Sequence, residues 1–428
     1  MENQWFDKDC QNLRKQVRKL SNLKHKDPSN NDIRLQYCET IRTYKHTVRA
    51  KKIKHTQKQL SELEESIQSN SFWEQWNSVF QSDPEELVIQ DGDVWTEHFK
   101  TLFGPTPLGT DLERNQIVKK LENMGSVIKD NQNPLDFTIT MNELKSKLKT
   151  LKSKKSCGPD GILNEMLKHT TENFQLAILK LFNLILSVGY FPESWSNGLI
   201  TPLFKSGDKS DPQNYRGICV TSCVGKVFCS ILNSRVVNFI TEHNVLHKSQ
   251  IGFMPNHRTS DHIFTLTTLI NTHVHQNNNK IYSCFVDFQK AFDNIWHSGL
   301  YYQLLKSGIG GKTYDLIKTM YSNNRCAIKI GNKRTNYFKQ QRGVKQGCNM
   351  SPTLFNMYIN TFAEQLQKSI APGVTLQDTE VKCLMFADDL VLLSSSKEGL
   401  QQSLDILHKF SQTWALSINM DKTKILTF

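Results

Sequence analysis

The chain has 428 residues and a formal net charge of +12, so it is long enough to bury a core and form two or three structural units. Hydrophobic residues make up 38% and charged residues 22%, which excludes a disordered or fibrous chain. The charge is uneven, because residues 1–60 carry 15 Lys and Arg against 6 Asp and Glu, a net +9. We expect this segment to bind a polyanion, with a solvated helix face as the alternative.

The N-terminal part of the chain is predicted to be helical. Residues 5–24 and 30–69 carry apolar side chains at helical spacing, with Asp27-Pro28 between them, and this pattern predicts a helical hairpin with basic outer faces. An aromatic stretch, SFWEQWNSVFQSDPEEL, follows. Residues 104–135 contain several Gly and Pro and predict a linker or irregular bridge. A boundary near residue 140 is therefore expected.

Beyond residue 140, helical patterns alternate with short strand patterns, which favours an α/β or α+β fold over a repeat protein. One long helix of this region is predicted over 351–367, with Ser351 as its cap and Pro352 at its first position. Other helices are predicted at 140–154, 162–188, 224–241, 296–307, 313–321 and 397–414, strands at 199–205, 216–221 and 281–288, and a hairpin at 326–345.

Targeting and redox signals are few. The ten cysteines include no Cys-x-x-Cys pair, and the first residues, MENQWFDKDC, lack the apolar stretch of a signal peptide. No segment approaches the ~20 apolar residues of a membrane helix. We therefore expect an intracellular protein in a reducing compartment, without a membrane partner and without a zinc site.

Two acidic strand ends stand out. In CLMFADDLVLLS, Asp388 and Asp389 lie between apolar runs that predict a hairpin, and in FVDFQKAFDNIWH, Asp287 closes an apolar strand. A buried carboxylate normally takes up a proton, pairs with a cation or coordinates a metal. Two such strand ends in one sheet would bind Mg²⁺ ions suited to in-line phosphoryl displacement, as in a polymerase. The alternative is a loop with solvated acids.

Between these acidic sites lies RGVKQGCNMSP, in which Gln346 and Gly347 precede a helix. A glycine here would allow the backbone to approach a base or a sugar closely, although an ordinary turn and helix start is the alternative.

The motifs FVDFQKAFDNIWH, QGCNMSPTLFNMYIN and FADD, in this order, resemble the palm motifs of reverse transcriptases of LINE-type non-LTR retrotransposons. Upstream, KKSCGPDGILNEMLK, PLFKSGDKSDPQNYRGICVTSCVGKVF and SQIGFMPNHRTSDHIF resemble the fingers-side blocks of the same enzymes. Any one motif is weak evidence, but six in the expected order over about residues 150–428 make coincidence improbable.

The resemblance implies catalytic roles. Asp287 and Asp388 would bind two Mg²⁺ ions, with Mn²⁺ as an alternative, and Asp389 would lie beside them. Successive strand residues point to opposite faces, so Asp389 is expected to contribute less directly than Asp388. Asp293 is expected to be structural and to pair with a neighbour. Lys422 in LSINMDKTK would protonate the leaving pyrophosphate.

The resemblance also implies nucleotide-binding roles. Lys205 and Arg216 would grip the incoming triphosphate, because ammonium and guanidinium groups suit phosphate, with plain surface charges as the alternative. Gln346 and Gly347 would line the template and nucleotide pocket. Phe292 would lie under the sugar and select deoxynucleotides, unless it is simply a core residue.

The implied fold is an α+β right-hand polymerase with fingers and palm, an antiparallel palm sheet and a basic helical extension. The expected divisions are 1–80 for the extension, 81–140 for a bridge, 141–280 for the fingers side and 281–428 for the palm, with the reverse transcriptase domain at about 186–428. In proteins of this family a thumb domain follows the palm and an endonuclease domain precedes the polymerase region. The sequence is therefore expected to be a fragment of such an element.

The expected function is RNA-directed DNA synthesis in retrotransposition. The chain would extend a DNA primer with dNTPs on an RNA template, bind element RNA through its N-terminal segment, and act in solution or in a ribonucleoprotein, with the nucleus as one setting. A catalytically weak nucleic-acid-binding remnant is one alternative. An RNA-synthesising palm polymerase is another, and Phe292 argues against it.

Overall fold

The computed structural model describes residues 6–27, 30–66, 89–106, 112–125, 133–276, 278–331 and 333–428. The chain forms two compact units, Met1–Glu86 and Leu87–Phe428. The aromatic stretch at 71–87 lies outside the described residues.

The first unit is the helical hairpin that the sequence predicted. Helix α1 spans Lys8–Lys26 and helix α2 spans Asn31–Ser66. Lys51, in the middle of α2, binds the carboxylates of Asp7 and Asp9 at the start of α1, with 2.7 Å between Lys51 Nζ and Asp9 Oδ2. The two helices therefore run antiparallel.

The second unit mixes helices and strands, as expected for an α+β protein. Its helices are α3 (Gly92–Leu102), α4 (Leu112–Gly125), α5 (Met141–Lys149), α6 (Asn164–Lys168), α7 (Glu172–Val188), α8 (Glu193–Ser196), α9 (Cys223–Glu242), α10 (Thr259–Ile270), α11 (His297–Lys306), α12 (Gly311–Ser322), α13 (Ser351–Lys368) and α14 (Lys397–Thr413). Its strands are β1 (Gly198–Phe204), β2 (Tyr215–Thr221), β3 (Tyr282–Val286), β4 (Arg325–Ile330), β5 (Lys333–Arg334), β6 (Phe338–Lys339), β7 (Val374–Leu376), β8 (Thr379–Val381), β9 (Cys383–Phe386), β10 (Asp389–Ser394) and β11 (Lys424–Thr427).

The strands form two main sheets and one two-stranded ribbon. In the first sheet the order is β2-β1-β4-β5, and β6 also pairs with β4. The second sheet has the order β11-β3-β10-β9, and all three of its strand pairs are antiparallel. Strands β7 and β8 form the ribbon. The second sheet contains both acidic strand ends.

Helix α13 is the centre of the main hydrophobic core. Its Phe355, Tyr358 and Phe362 side chains are completely buried. Cys284 of β3 and Leu392 of β10, on the second sheet, belong to the same core cluster and are also completely buried. Burial on this scale is the main stabilising contribution to a fold, so the sheet that carries the acidic residues rests on a packed base.

One described helix, Cys223–Glu242, is long and apolar enough to cross a membrane by composition alone, and half of that window is buried inside the protein. Buried core helices satisfy the same criterion, so this is weak evidence for a membrane span.

Three details of the predicted elements are wrong. Ser351 does not cap α13, because the cap position is Met350 and the Ser351 hydroxyl donates to the Lys345 carbonyl at 2.7 Å. The helix predicted over 140–154 ends at Lys149. Helix α4 occupies much of the stretch predicted to be irregular, and its residue Ile117 belongs to the core.

Candidate active site

The acidic hairpin is formed by β9 and β10. Asp389 pairs with Phe386, so Ala387 and Asp388 form the turn between the two strands. Ala387 has a φ of +56°, in the left-handed region that two-residue hairpin turns require. This turn places Asp388 at the edge of the sheet.

The second acidic strand end lies beside this turn. Val286, the last residue of β3, pairs with Leu390, so the next residue, Asp287, comes level with Asp389. Residues near the C-terminus hold the Asp287 backbone: its N–H donates to Thr423 Oγ1 at 3.3 Å, and its carbonyl accepts from the Asn419 N–H at 2.7 Å. Three carboxylates therefore share one edge of the second sheet.

The electrostatics of Asp388 reflect this arrangement. Burial raises the pKa of its carboxyl group, and the negative charges of Asp389 and Asp287 raise it further, against a backbone hydrogen bond that lowers it. Asp388 and Asp287 are half-buried, whereas Asp389 is exposed. Negative charge is thus concentrated at a position that a cation would stabilise.

Three cationic side chains gather near the carboxylates. Lys205 follows β1, where its N–H donates to the Asn214 carbonyl at 2.9 Å, and Arg216 lies on the paired strand β2 opposite Leu203. Burial lowers the pKa of Lys205, as do the nearby charges of Arg216 and Lys422, while Asp287 raises it.

Lys205 and Arg216 come from the segment of the neighbouring strands β1 and β2, whereas Asp287 and Lys422 come from distant parts of the sequence, and the fold brings these four charged residues together. All three cations are exposed, so they are accessible to an anionic ligand.

The loop before α13 is attached to β2. The Cys219 N–H donates to the Gln346 carbonyl at 2.9 Å. Gly347 has a φ of +124°, and a Cβ at this position would lie 2.6 Å from the Cys219 carbonyl oxygen. The close approach that requires a glycine is thus to the β2 backbone, whereas the sequence suggested a base or a sugar.

Asp293 pairs with a neighbour, Gln346, whose Nε2 donates to Asp293 Oδ1 at 2.9 Å. The Asp293 side chain is nearly inaccessible, with 7% relative exposure. Burial raises its pKa to about 6, although Lys290 and the Gln346 hydrogen bond act in the opposite direction. The buried Asp293 carboxyl group therefore holds the Gln346 side chain in place.

Phe292 stacks on Phe355 of α13, with 4.6 Å between ring centroids and 24° between ring planes. Phe355 is completely buried, whereas Phe292 is only half-buried. One face of Phe292 is therefore packed against the core, and part of the residue remains accessible.

The sequence interpretation missed Asn419 and Thr423, which hold the Asp287 backbone. The strand β11 directly after them pairs with β3, with Lys424 opposite Phe285. The β-branched and apolar residues of KILTF were the available signal for a strand, because a terminal strand beside β3 brings the preceding turn close to Asp287.

The carboxylates suit a hard divalent cation. Among the described residues, no group of three or more His, Cys, Asp and Glu side chains is arranged to hold a metal ion by itself. Mg²⁺, however, is commonly bound through one or two carboxylates, with water and substrate phosphates as the other ligands. Asp287 and Asp388 supply such oxygens, and burial together with the charges of Asp389 and Asp287 raises the pKa of Asp388. The donor set fits Mg²⁺.

Comparison with known proteins identifies the family. Residues 205–427, just over half of the chain, match the family described as "Reverse transcriptase (RNA-dependent DNA polymerase)". The chain belongs to the reverse transcriptase family. Its relatives include proteins of jockey, X-element and R2 elements, which place it among the family members of the non-LTR retrotransposon type.

Two relatives illustrate the extent of the similarity. The chain is 29% identical over 299 residues to the RNA-directed DNA polymerase from mobile element jockey of Drosophila funebris, covering 68% of this chain and 32% of that protein. It is 30% identical over 271 residues to the Pol polyprotein of the type-1 element R2 of Popillia japonica, covering 62% of this chain and 36% of that protein. The chain thus spans about a third of the length of these relatives.

Among solved structures, the chain is similar to apo telomerase from Candida Tropicalis truncated from its C-terminal domain. The TM-score is 0.43 at 15% identity, covering 55% of this chain and 50% of that chain.

Proposed function

We propose that the chain is an RNA-directed DNA polymerase that adds deoxynucleotides to a primer 3′ hydroxyl on an RNA template. One observation carries this proposal: the Asp287 and Asp388 carboxylates lie at one sheet edge, and a cluster of cations, including Lys205, lies within electrostatic range of Asp287. A metal-binding side next to a phosphate-binding side is what nucleotidyl transfer requires.

The acidic residues would hold the divalent cations. Two Mg²⁺ ions, when bound, activate the attacking hydroxyl and stabilise the leaving oxygen. Asp287 and Asp388 would hold them, and Asp389, on the exposed side of β10, would contribute less directly. The backbone hydrogen bonds from Asn419 and to Thr423 keep Asp287 at the sheet edge.

The basic residues would hold the nucleotide. Lys205 and Arg216 would bind the triphosphate, and Arg216 can do so with two parallel hydrogen bonds. Lys422 would donate a proton to the leaving pyrophosphate, since an ammonium group within electrostatic range of Lys205 is close to the same phosphates.

Phe292, Gln346 and Gly347 would shape the pocket for the base and sugar. The stacking of Phe292 on Phe355 restricts the ring, so a sugar placed against its accessible side would meet an apolar surface. A 2′ hydroxyl in that position would have no hydrogen-bond partner. Gln346 is oriented by Asp293.

The antiparallel second sheet supports the following domain assignment. The four-stranded antiparallel sheet with Asp287 and Asp388 would be the palm, within residues 281–428, and residues 141–280 would form the fingers side. Residues 1–80 would be an RNA-binding extension and 81–140 a bridge. The excess of positive charge in residues 1–60 supports RNA binding, because such binding is dominated by phosphate contacts.

Primer extension on an oligonucleotide-primed RNA, with dNTPs and Mg²⁺, tests this function. Asp388→Ala is expected to reduce synthesis by about a hundred- to a thousandfold or more, as losses of electrostatic stabilisation do. Binding of the primer–template should change little, because it rests on phosphate contacts. Asp405→Ala, which removes an exposed acid of α14, is the matched control and should extend normally.

Three outcomes contradict the proposal. If Asp388→Ala extends primers as well as the unmodified chain, the site is wrongly assigned. If the unmodified chain binds primer–template but never extends it, the chain is a nucleic-acid-binding remnant without catalysis. Faster incorporation of rNTPs than of dNTPs would instead indicate an RNA-synthesising polymerase.

A further inference from the structure

Gln250 is a buried glutamine whose side chain contacts the turn that carries Asp388. Its Oε1 accepts hydrogen bonds from the Ala387 N–H at 2.9 Å and the Gly252 N–H at 3.0 Å, and its Nε2 donates to the Ala387 carbonyl at 3.2 Å. Only 3% of Gln250 is exposed. A single amide thus satisfies both backbone polar groups of Ala387.

Ala387 needs such support. Its positive φ of +56° is unfavourable for a residue with a Cβ, and such conformations persist only where the surroundings enforce them. Ala387 is also buried, at 3% exposure, so its N–H and carbonyl have no access to bulk water. Without Gln250, both groups would lose their partner.

The segment around Gln250 is itself firmly attached to β9. The Ile251 N–H donates to the Met385 carbonyl at 3.0 Å, and the Met385 N–H donates to the Ser249 carbonyl at 2.9 Å. Asn356 of α13 donates through Nδ2 to the Gly252 carbonyl at 2.6 Å. Gln250 is therefore held from both sides and can act as a rigid support.

Gly252 allows this close contact. A Cβ on Gly252 would collide with the Ala387 nitrogen and would lie 2.8 Å from the Phe386 carbonyl carbon. Both are backbone atoms of the acidic hairpin, so any side chain at 252 would push the hairpin away from Gln250.

We propose that Gln250 is a positioning residue, which holds the Ala387 turn and thereby orients the Asp388 carboxylate. Asp388 directly follows Ala387, so a change in the Ala387 dihedral angles redirects the carboxylate. Gln250 itself touches neither substrate nor metal. The effect on synthesis rests on the proposed polymerase function, whereas the effect on the hairpin backbone does not.

Gln250→Met is the test variant, because Met has a similar length and forms no comparable hydrogen bonds. Gln303→Met is the matched control. Gln303 of α11 is 2% exposed, and its Nε2 donates to Thr361 Oγ1 of α13 at 2.6 Å. Both substitutions remove hydrogen bonds from a buried amide, but only Gln250→Met alters the acidic hairpin.

The first measurement is hydrogen–deuterium exchange by mass spectrometry, without metal or substrate. In Gln250→Met, peptides covering residues 383–394 should exchange about tenfold faster, the factor that corresponds to the loss of about one net hydrogen bond. In Gln303→Met the same peptides should exchange as in the unmodified chain. Equal exchange of residues 383–394 in both variants overturns the proposal.

The second measurement is single-nucleotide insertion at saturating primer–template. Gln250→Met should lower kcat by up to about a hundredfold, as expected for a misplacement on the order of 1 Å, with little change in the KM for dNTP. Gln303→Met should retain kcat. A normal kcat in Gln250→Met, or an equal loss in the two variants, would mean that Gln250 does not orient Asp388.

Failure of the proposed function gives a different result. If the unmodified chain does not extend primers, the polymerase assignment fails, while the exchange data still decide whether Gln250 holds the turn. Should Gln250→Met not fold, Gly252→Ala gives the same test, because it keeps the glutamine and displaces the hairpin. It should show faster exchange at 383–394 and a lower kcat, and normal values for both would refute the proposal.

Discussion

Replacing Asp293 with Asn should stabilise the protein at neutral pH. Asp293 is nearly inaccessible, and burial raises its pKa to about 6 from the ordinary 3.8. Its ionised form is therefore less stable in the folded protein than in the unfolded chain. Asn has nearly the same shape, carries no charge and can still accept the hydrogen bond from Gln346.

The magnitude follows from the two pKa values. The folded state binds more protons than the unfolded state between about pH 4 and pH 6, so the contribution of Asp293 to stability is present below pH 4 and is lost as the pH rises to 6. At ~1.4 kcal/mol per pH unit, the loss is about 3 kcal/mol at pH 7. At pH 4 it is only about 0.5 kcal/mol.

Urea unfolding monitored by tryptophan fluorescence at pH 4, 5, 6 and 7 measures this effect. The free energy of unfolding of Asp293→Asn should exceed that of the unmodified protein by an amount that grows with pH and levels off above pH 6. Asp405→Asn is the matched control, because the exposed Asp405 also accepts a hydrogen bond from a glutamine, Gln401, at 2.8 Å. The control should change stability by less than about 0.5 kcal/mol at every pH.

Either of two results would refute this reasoning. If Asp293→Asn is less stable than the unmodified protein at pH 7, the ionised Asp293 is stabilised by Lys290 and Gln346 by more than burial costs. A stabilisation that is the same at pH 4 and pH 7 would show that the gain comes from packing and not from charge.

One substitution tests the role of Phe292, and one deletion tests RNA binding by the N-terminal segment. Phe292→Val should keep much of the dNTP activity and should reduce the preference for dNTPs over rNTPs by about ten- to a hundredfold, the equivalent of ~1–3 kcal/mol. Single-nucleotide insertion kinetics measure this preference. An unchanged preference in a well-folded variant would assign Phe292 to the core alone. Deleting residues 1–70 should make RNA affinity fall less steeply with salt concentration on a log–log plot, because fewer phosphate contacts release counterions. An unchanged slope would assign this segment to a solvated face or a protein contact.

Much of the local structure could be predicted from the sequence. The acidic hairpin was predicted because two apolar runs flank a short polar pair, and the helices α9, α11 and α13 because their apolar residues recur at helical spacing. These signals are local, since each depends on which side of one segment must be buried. Ser351 shows the limit of these local signals. Its residue type favoured a helix cap, but its hydroxyl donates a hydrogen bond to the carbonyl of Lys345 in the preceding loop.

The sequence by itself determined the acidic strand ends, the order of the family's motifs and the charge of the first segment. Only the tertiary structure decided that Lys205, Arg216 and Lys422 gather near Asp287, that Gly347 is required by the β2 backbone, and that Gln250 supports Ala387. The reason is physical. Periodicity and turn chemistry act within a few residues, whereas contacts between segments far apart in the sequence depend on the packing of the whole core, which no single stretch of sequence specifies.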